Sequence, residues 1–132
     1  VVPNGVTLQA VNPRQATLEV TGSHGVCLTS GTIRNVHFHR PSNQGGHVEV
    51  SGGGTSFIEG STFTGVFGCG GSGWEAAVET SGKAKVTISG GGLTTSLIDG
   101  MGCQFVVARG ESEVTIANAL VQAGKAAGTS GS

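Results

Sequence analysis

Gly46-His-Val-Glu-Val-Ser-Gly-Gly-Gly-Thr-Ser-Phe-Ile-Glu-Gly-Ser-Thr-Phe63 is the stretch that decides the fold. It holds two alternating strand patterns around a glycine turn, with Phe63 just past a second bend. The plan recurs downstream. Val78-Glu-Thr-Ser-Gly-Lys-Ala-Lys-Val-Thr-Ile-Ser-Gly-Gly-Gly-Leu93 and Val106-Val-Ala-Arg-Gly-Glu-Ser-Glu-Val-Thr-Ile-Ala-Asn-Ala-Leu-Val121 repeat it. Self-similarity at a period of about 30 residues is the mark of a repeat architecture.

The later halves of the repeats read Ile33-Arg-Asn35-Val-His-Phe38, Ile58-Glu-Gly60-Ser-Thr-Phe63, Ile88-Ser-Gly90-Gly-Gly-Leu93 and Ile116-Ala-Asn118-Ala-Leu-Val121. Their rule is Ile-x-(Asn or Gly)-x-x-apolar, with isoleucine spacings of 25, 30 and 28. Asn and Gly both enter the left-handed backbone region cheaply. The third position therefore predicts a sharp bend, with the isoleucine before it and the apolar residue after it pointing into one core. Alternation in the first strands puts Val48, Val50, Val78, Thr80, Val106 and Ala108 inward, and Glu49, Glu79 and Val107 outward.

No helical period of useful length appears, so helices do not cover these strand faces. A sandwich of hairpins has no need for matched side chains at every repeat. A solenoid does, because each residue stacks on its equivalent about 4.8 Å away. The repeat spacing aligns Arg34 with Glu59, Lys83 with Glu111 and Lys85 with Glu113, which favours that register. Glu49 on Glu79 goes against it.

Composition supports an ordered β domain. The 132 residues include 25 glycines, yet the net charge is only −1 and Val, Ile and Thr recur at alternate positions. Near-neutral charge argues against nucleic-acid binding, which wants a basic patch. No stretch is long and apolar enough for membrane insertion. The sequence predicts one domain over 1–123, with an irregular first coil at 1–24 and a flexible Gly/Ala/Ser tail at 124–132.

Ile-x-Asn-x-x-Phe coils preceded by Val-x-Val-x-Gly-Gly turns resemble the right-handed parallel β-helix of the pectate-lyase-like superfamily. The resemblance spans 25–123, and loosely 1–24. It implies an all-β solenoid of about five coils, with three short strands per coil. In that superfamily bound polysaccharide lies along one outer face. An uncapped solenoid would leave sheet edges that seek partners. The resemblance would also bring clustered aspartates that hold calcium, with an arginine as base, or Asn-Thr-Asp, Asp-Asp and Gly-His-Gly motifs. This chain has a single aspartate, Asp99, and only a poor echo in Ser23-His24-Gly25.

Other groups that carry chemistry are few. His37 and His39 share the outward face of one strand, and His47 follows a turn. With a converging third ligand they are metal candidates, and the plainer reading is a polar face opposite buried Phe38. Arg40 beside them could contact a sugar acid or a partner. Trp74 in a glycine-rich connection could stack on a ligand or cover the core. Cys69 and Cys103 lie one coil apart and could form a disulfide, while Cys27 should point outward. Threonines such as Thr55, Thr62, Thr64 and Thr87 hint at an ice-binding array, but Lys, Gly and Ala interrupt it.

The expected role is therefore a non-catalytic structural or interaction module without a cofactor. It would belong to a surface protein, adhesin or self-assembling fibre, partnered end to end or as an oligomer by itself, or by another protein. That role favours an extracellular or cell-surface setting. Two other readings stay open: a carbohydrate-binding or polysaccharide-cleaving fragment, and an intracellular β-helix recognition domain of the kind found in some ubiquitin-ligase adaptors.

Overall fold

The computed structural model describes residues 1–12, 16–21, 25–40, 47–66, 76–90, 96–101 and 106–123. Among them lie fourteen strands and no helix. They fall into successive triplets. The first is β1 (Thr7–Gln9), β2 (Thr17–Glu19) and β3 (Val26–Leu28), and the second β4 (Thr32–Arg34), β5 (His37–Arg40) and β6 (Val48–Val50). The third is β7 (Thr55–Glu59), β8 (Thr62–Val66) and β9 (Val78–Thr80). The fourth is β10 (Lys85–Ser89), β11 (Ser96–Met101) and β12 (Val106–Ala108), and β13 (Glu113–Ala117) and β14 (Ala119–Ala123) follow.

Each strand pairs with the strand three places on, and every pairing is parallel. Three sheets result, ordered β1-β4-β7-β10-β13, β2-β5-β8-β11-β14 and β3-β6-β9-β12. This all-β arrangement of parallel sheets is consistent with a β-solenoid.

The isoleucine repeat sets the register. Leu8, Ile33, Ile58, Ile88 and Ile116 form one row across the first sheet. Its three middle members are completely buried. After the isoleucine the chain bends at Asn35 (φ 60°), Gly60 (φ 56°) and Asn118 (φ 53°), all in the left-handed region, as the Asn/Gly alternation predicts. The bends are themselves tied together: the Asn35 amide donates to the Glu59 carbonyl and the Gly60 amide to that of Ser89, both at 2.9 Å. Val26, Val48, Val78 and Val106 make the equivalent inward row of the third sheet. The buried apolar side chains from all three sheets form one cluster.

Two expectations need correction. The apolar residue in register with Phe63 is Ile98, not Leu93. Leu93 itself lies outside the described residues. Glu79, expected on the outside, is only 1% exposed. It stacks on Glu49 as the spacing predicts. Arg109 relieves the like-charge contact by placing Nε and Nη2 each 3.0 Å from Glu79 Oε1. The proposed tail at 124–132 lies outside the described residues.

Candidate functional site

A polar cluster lies where β5 meets β8. Strand alternation turns His37 and His39 to one face of β5 and Phe38 and Arg40 to the other. Register sets His37 beside Thr62 and His39 beside Thr64. His37 Nδ1 bonds to the Thr62 hydroxyl. The Thr64 hydroxyl meets His39 Nδ1 at 3.2 Å and His37 Nε2 at 3.4 Å, so both rings lean on one oxygen. That hydroxyl also donates to the Phe38 carbonyl at 3.5 Å. One hydroxyl proton serves one acceptor.

A hydroxyl held by an imidazole is the beginning of a nucleophile–base pair. Thr62, however, is 5% exposed, which leaves a substrate little access to its oxygen. Glu19 lies in register beside His39, and Asp99 occupies the register position next to Thr64 on β11.

The inner side of the same strands corrects two sequence expectations. His47 is fully buried instead of joining His37 and His39. Its ring meets those of Phe38 and Phe63 edge-on, with centroids 6.2 and 5.8 Å away. The two phenyl rings stack face to face at 4.9 Å. The three histidines therefore do not form a ligand set, and among the described residues no three His, Cys, Asp or Glu side chains converge to hold a metal ion. Burial is the main force on His47, followed by the charge of Arg40 and then by His39 and His37. Together they push its imidazole down to about 3. Arg40 is also fully buried, so it is not the surface contact for a sugar acid that the sequence suggested. Its alternation with Phe38 dictates this, and burial lowers its guanidinium from the ordinary range.

The sheet β1-β4-β7-β10-β13 presents a different outer face. One row reads Thr7, Thr32, Phe57, Thr87 and Thr115. Phe57 is 40% exposed in the middle of it. Beside this row Arg34 receives a contact on each flank, Nε to Glu59 Oε2 at 2.8 Å and Nη1 to Gln9 Oε1 at 3.3 Å. The threonine array hinted at by the sequence included Thr87 but not Thr7, Thr32 or Thr115, and the exposed aromatic was not singled out. The offset of 25 that links Ile33 to Ile58 also links Thr32 to Phe57, and would have found both.

On the third sheet Cys27 Sγ lies 3.7 Å from Glu49 Oε2. Burial first, then the Glu49 charge and hydrogen bond, raises its pKa, which makes the thiol a poor nucleophile. Trp74, Cys69 and Cys103 lie outside the described residues. No protein-family model matches this chain, and no curated protein or solved structure matches it significantly.

Proposed function

We propose that this chain is a right-handed parallel β-helix of about five coils, of the pectate-lyase-like kind, and that it serves as a non-catalytic structural or interaction module in a surface protein, adhesin or fibre. The observation that carries this reading is the matching of outward side chains from strand to strand. Gln9, Arg34 and Glu59 form one hydrogen-bonded column. Lys83 pairs with Glu111 at 3.5 Å, and Lys85 with Glu113 at 3.7 Å. The ionic groups in these columns are engaged in tying neighbouring strands, or the turns that lead into them, to one another, which suits a scaffold better than a reaction centre. Incubation with acidic polysaccharides, with and without calcium, tests this reading. No shortening of the polymer is expected, and sustained cleavage that disappears in Asp99→Ala would overturn it.

A second reading is favoured by Phe57. An exposed aromatic ring in a row of threonines offers a stacking surface for a sugar ring, and Arg34 and Lys85 in the neighbouring outward rows would exchange their carboxylate partners for acid groups of the sugar. Affinity electrophoresis in gels containing acidic polysaccharide separates this from the scaffold role. Retardation that is lost in Phe57→Ala supports binding, and unchanged mobility rules it out.

A further inference from the structure

Among the described residues the three sheets end at two edges. At one lie β1 and β2, with Val2 bridged to Leu28 in the third sheet. At the other lie β12, β13 and β14. Row members that are completely buried in the middle become accessible here: Leu18 is 38% exposed and Ile116 46%, against 0% for Phe38, Ile33, Ile58 and Ile88. Val6, beside β1, is 45% exposed. Strand edges with unpaired backbone groups act as templates for another strand.

We propose that the β12–β13–β14 edge of one molecule receives the β1–β2 edge of a second copy, so that all three sheets continue head to tail. This inference rests on the scaffold reading and specifies its partner. The internal register names the contacts. Continuing the rows places Ile116 on Leu8, Val114 on Val6, Thr115 on Thr7 and Ala108 on Val2 of the next copy. Apolar rows thus meet apolar rows, and Thr115 meets Thr7. The charges agree as well. Glu113 meets Gly5, Ala117 meets Gln9, and Gln122 meets Glu19, so no like charges face each other in these rows. Every internal pairing is parallel, so the two edges present the same strand direction and complementary hydrogen-bonding sides. The contact is heterologous, with different surfaces on the two copies, so it propagates into a filament and does not close as a dimer.

Light scattering across a concentration series gives the first test. The mean mass should rise steadily with concentration, and a chain that stays monomeric overturns the proposal. Two variants then separate the edges. Ile116→Lys blocks one edge and Leu18→Lys the other, and both side chains are exposed enough for the fold to keep its circular dichroism. Each variant alone should be monomeric. An equimolar mixture should form dimers and stop there, because each partner retains one intact edge. A mixture that remains monomeric, or a variant that still polymerises alone, sinks the idea. A third measurement avoids lysine. Thr7→Cys combined with Thr115→Cys should give a reducible ladder of linked chains under oxidation, beyond whatever the parent chain gives, and its absence counts against this register. Polysaccharide cleavage bears on the scaffold reading alone, so the two failures are distinguishable.

Discussion

His47 shows how one buried side chain can give the whole fold a pH dependence. Its imidazole is held down to about 3 in the folded chain, against 6.5 ordinarily. Between those values the unfolded chain binds a proton that the folded chain refuses. Stability from this group is complete above pH 6.5 and is lost as the pH falls toward 3, at up to about 1.4 kcal/mol per unit. Chemical denaturation from pH 7 to 4 should follow that slope, and His47→Phe should flatten it even if it shifts the absolute stability. Equal slopes in both proteins would show that the imidazole is protonated inside the fold. Glycines give a second contrast. Gly65 has φ +112°, and a Cβ there would sit 1.9 Å from the Arg40 carbonyl oxygen. Gly5 has φ +74° but nothing within 4 Å. Gly5→Ala should cost about 1 kcal/mol from backbone strain alone, and Gly65→Ala at least about 2 kcal/mol because strain and overlap combine. Comparable melting points for the two variants would contradict this placement of β8 against β5.

Along a strand row, position in the stack decides the worth of an identical side chain. Ile58 is fully buried in the middle of its row, while Ile116 on the outer strand is 46% exposed. Ile58→Ala should destabilise by about 2–5 kcal/mol through lost burial and an internal cavity. Ile116→Ala should cost under about 1 kcal/mol. Thermal melts would decide between this gradient and a fold in which the isoleucines are equivalent. The same row explains what the sequence reveals. Ile33, Ile58, Ile88 and Ile116 repeat because parallel stacking demands like side chains in register, so the sheets and the bends at Asn35, Gly60 and Asn118 can be read directly. Leu93 could not be separated from Ile98 in the sequence, since both are apolar and both follow Ile88 across a glycine-rich stretch. The polar cluster was half legible. His37 and His39 stood out, but their partners Thr62 and Thr64 emerge only when the offset of 25 is applied to outward positions as well as inward ones. The burial of Arg40 was available from its alternation with Phe38. That of His47 was not, because it precedes β6 and no strand parity fixes it.

For the molecule as a whole, pairing only between strands three places apart makes stability approximately a sum over neighbouring triplets. Such a chain opens from its edges. Among the described residues the outermost strands have a partner on one side, and inward side chains there such as Leu18 and Ile116 are partly exposed; the middle strands have two partners and fully buried inward rows. Native-state hydrogen exchange should therefore be graded. Ladder amides of β4, β6 and β7 should exchange slowest, and those of β1, β2 and β13 faster by at least a hundredfold, which corresponds to about 2.8 kcal/mol. Uniform protection would mean that the chain unfolds as one cooperative block, and the edges would lose their special status. The gradient should also depend on concentration. If copies join head to tail, β1, β2 and β13 acquire a second partner, and their exchange should slow as the protein is concentrated while that of β6 stays constant. Slowing confined to these edge strands would place the contact at the sheet ends. Slowing across the β1-β4-β7-β10-β13 sheet, with Phe57 at its centre, would instead mean that the copies meet side by side.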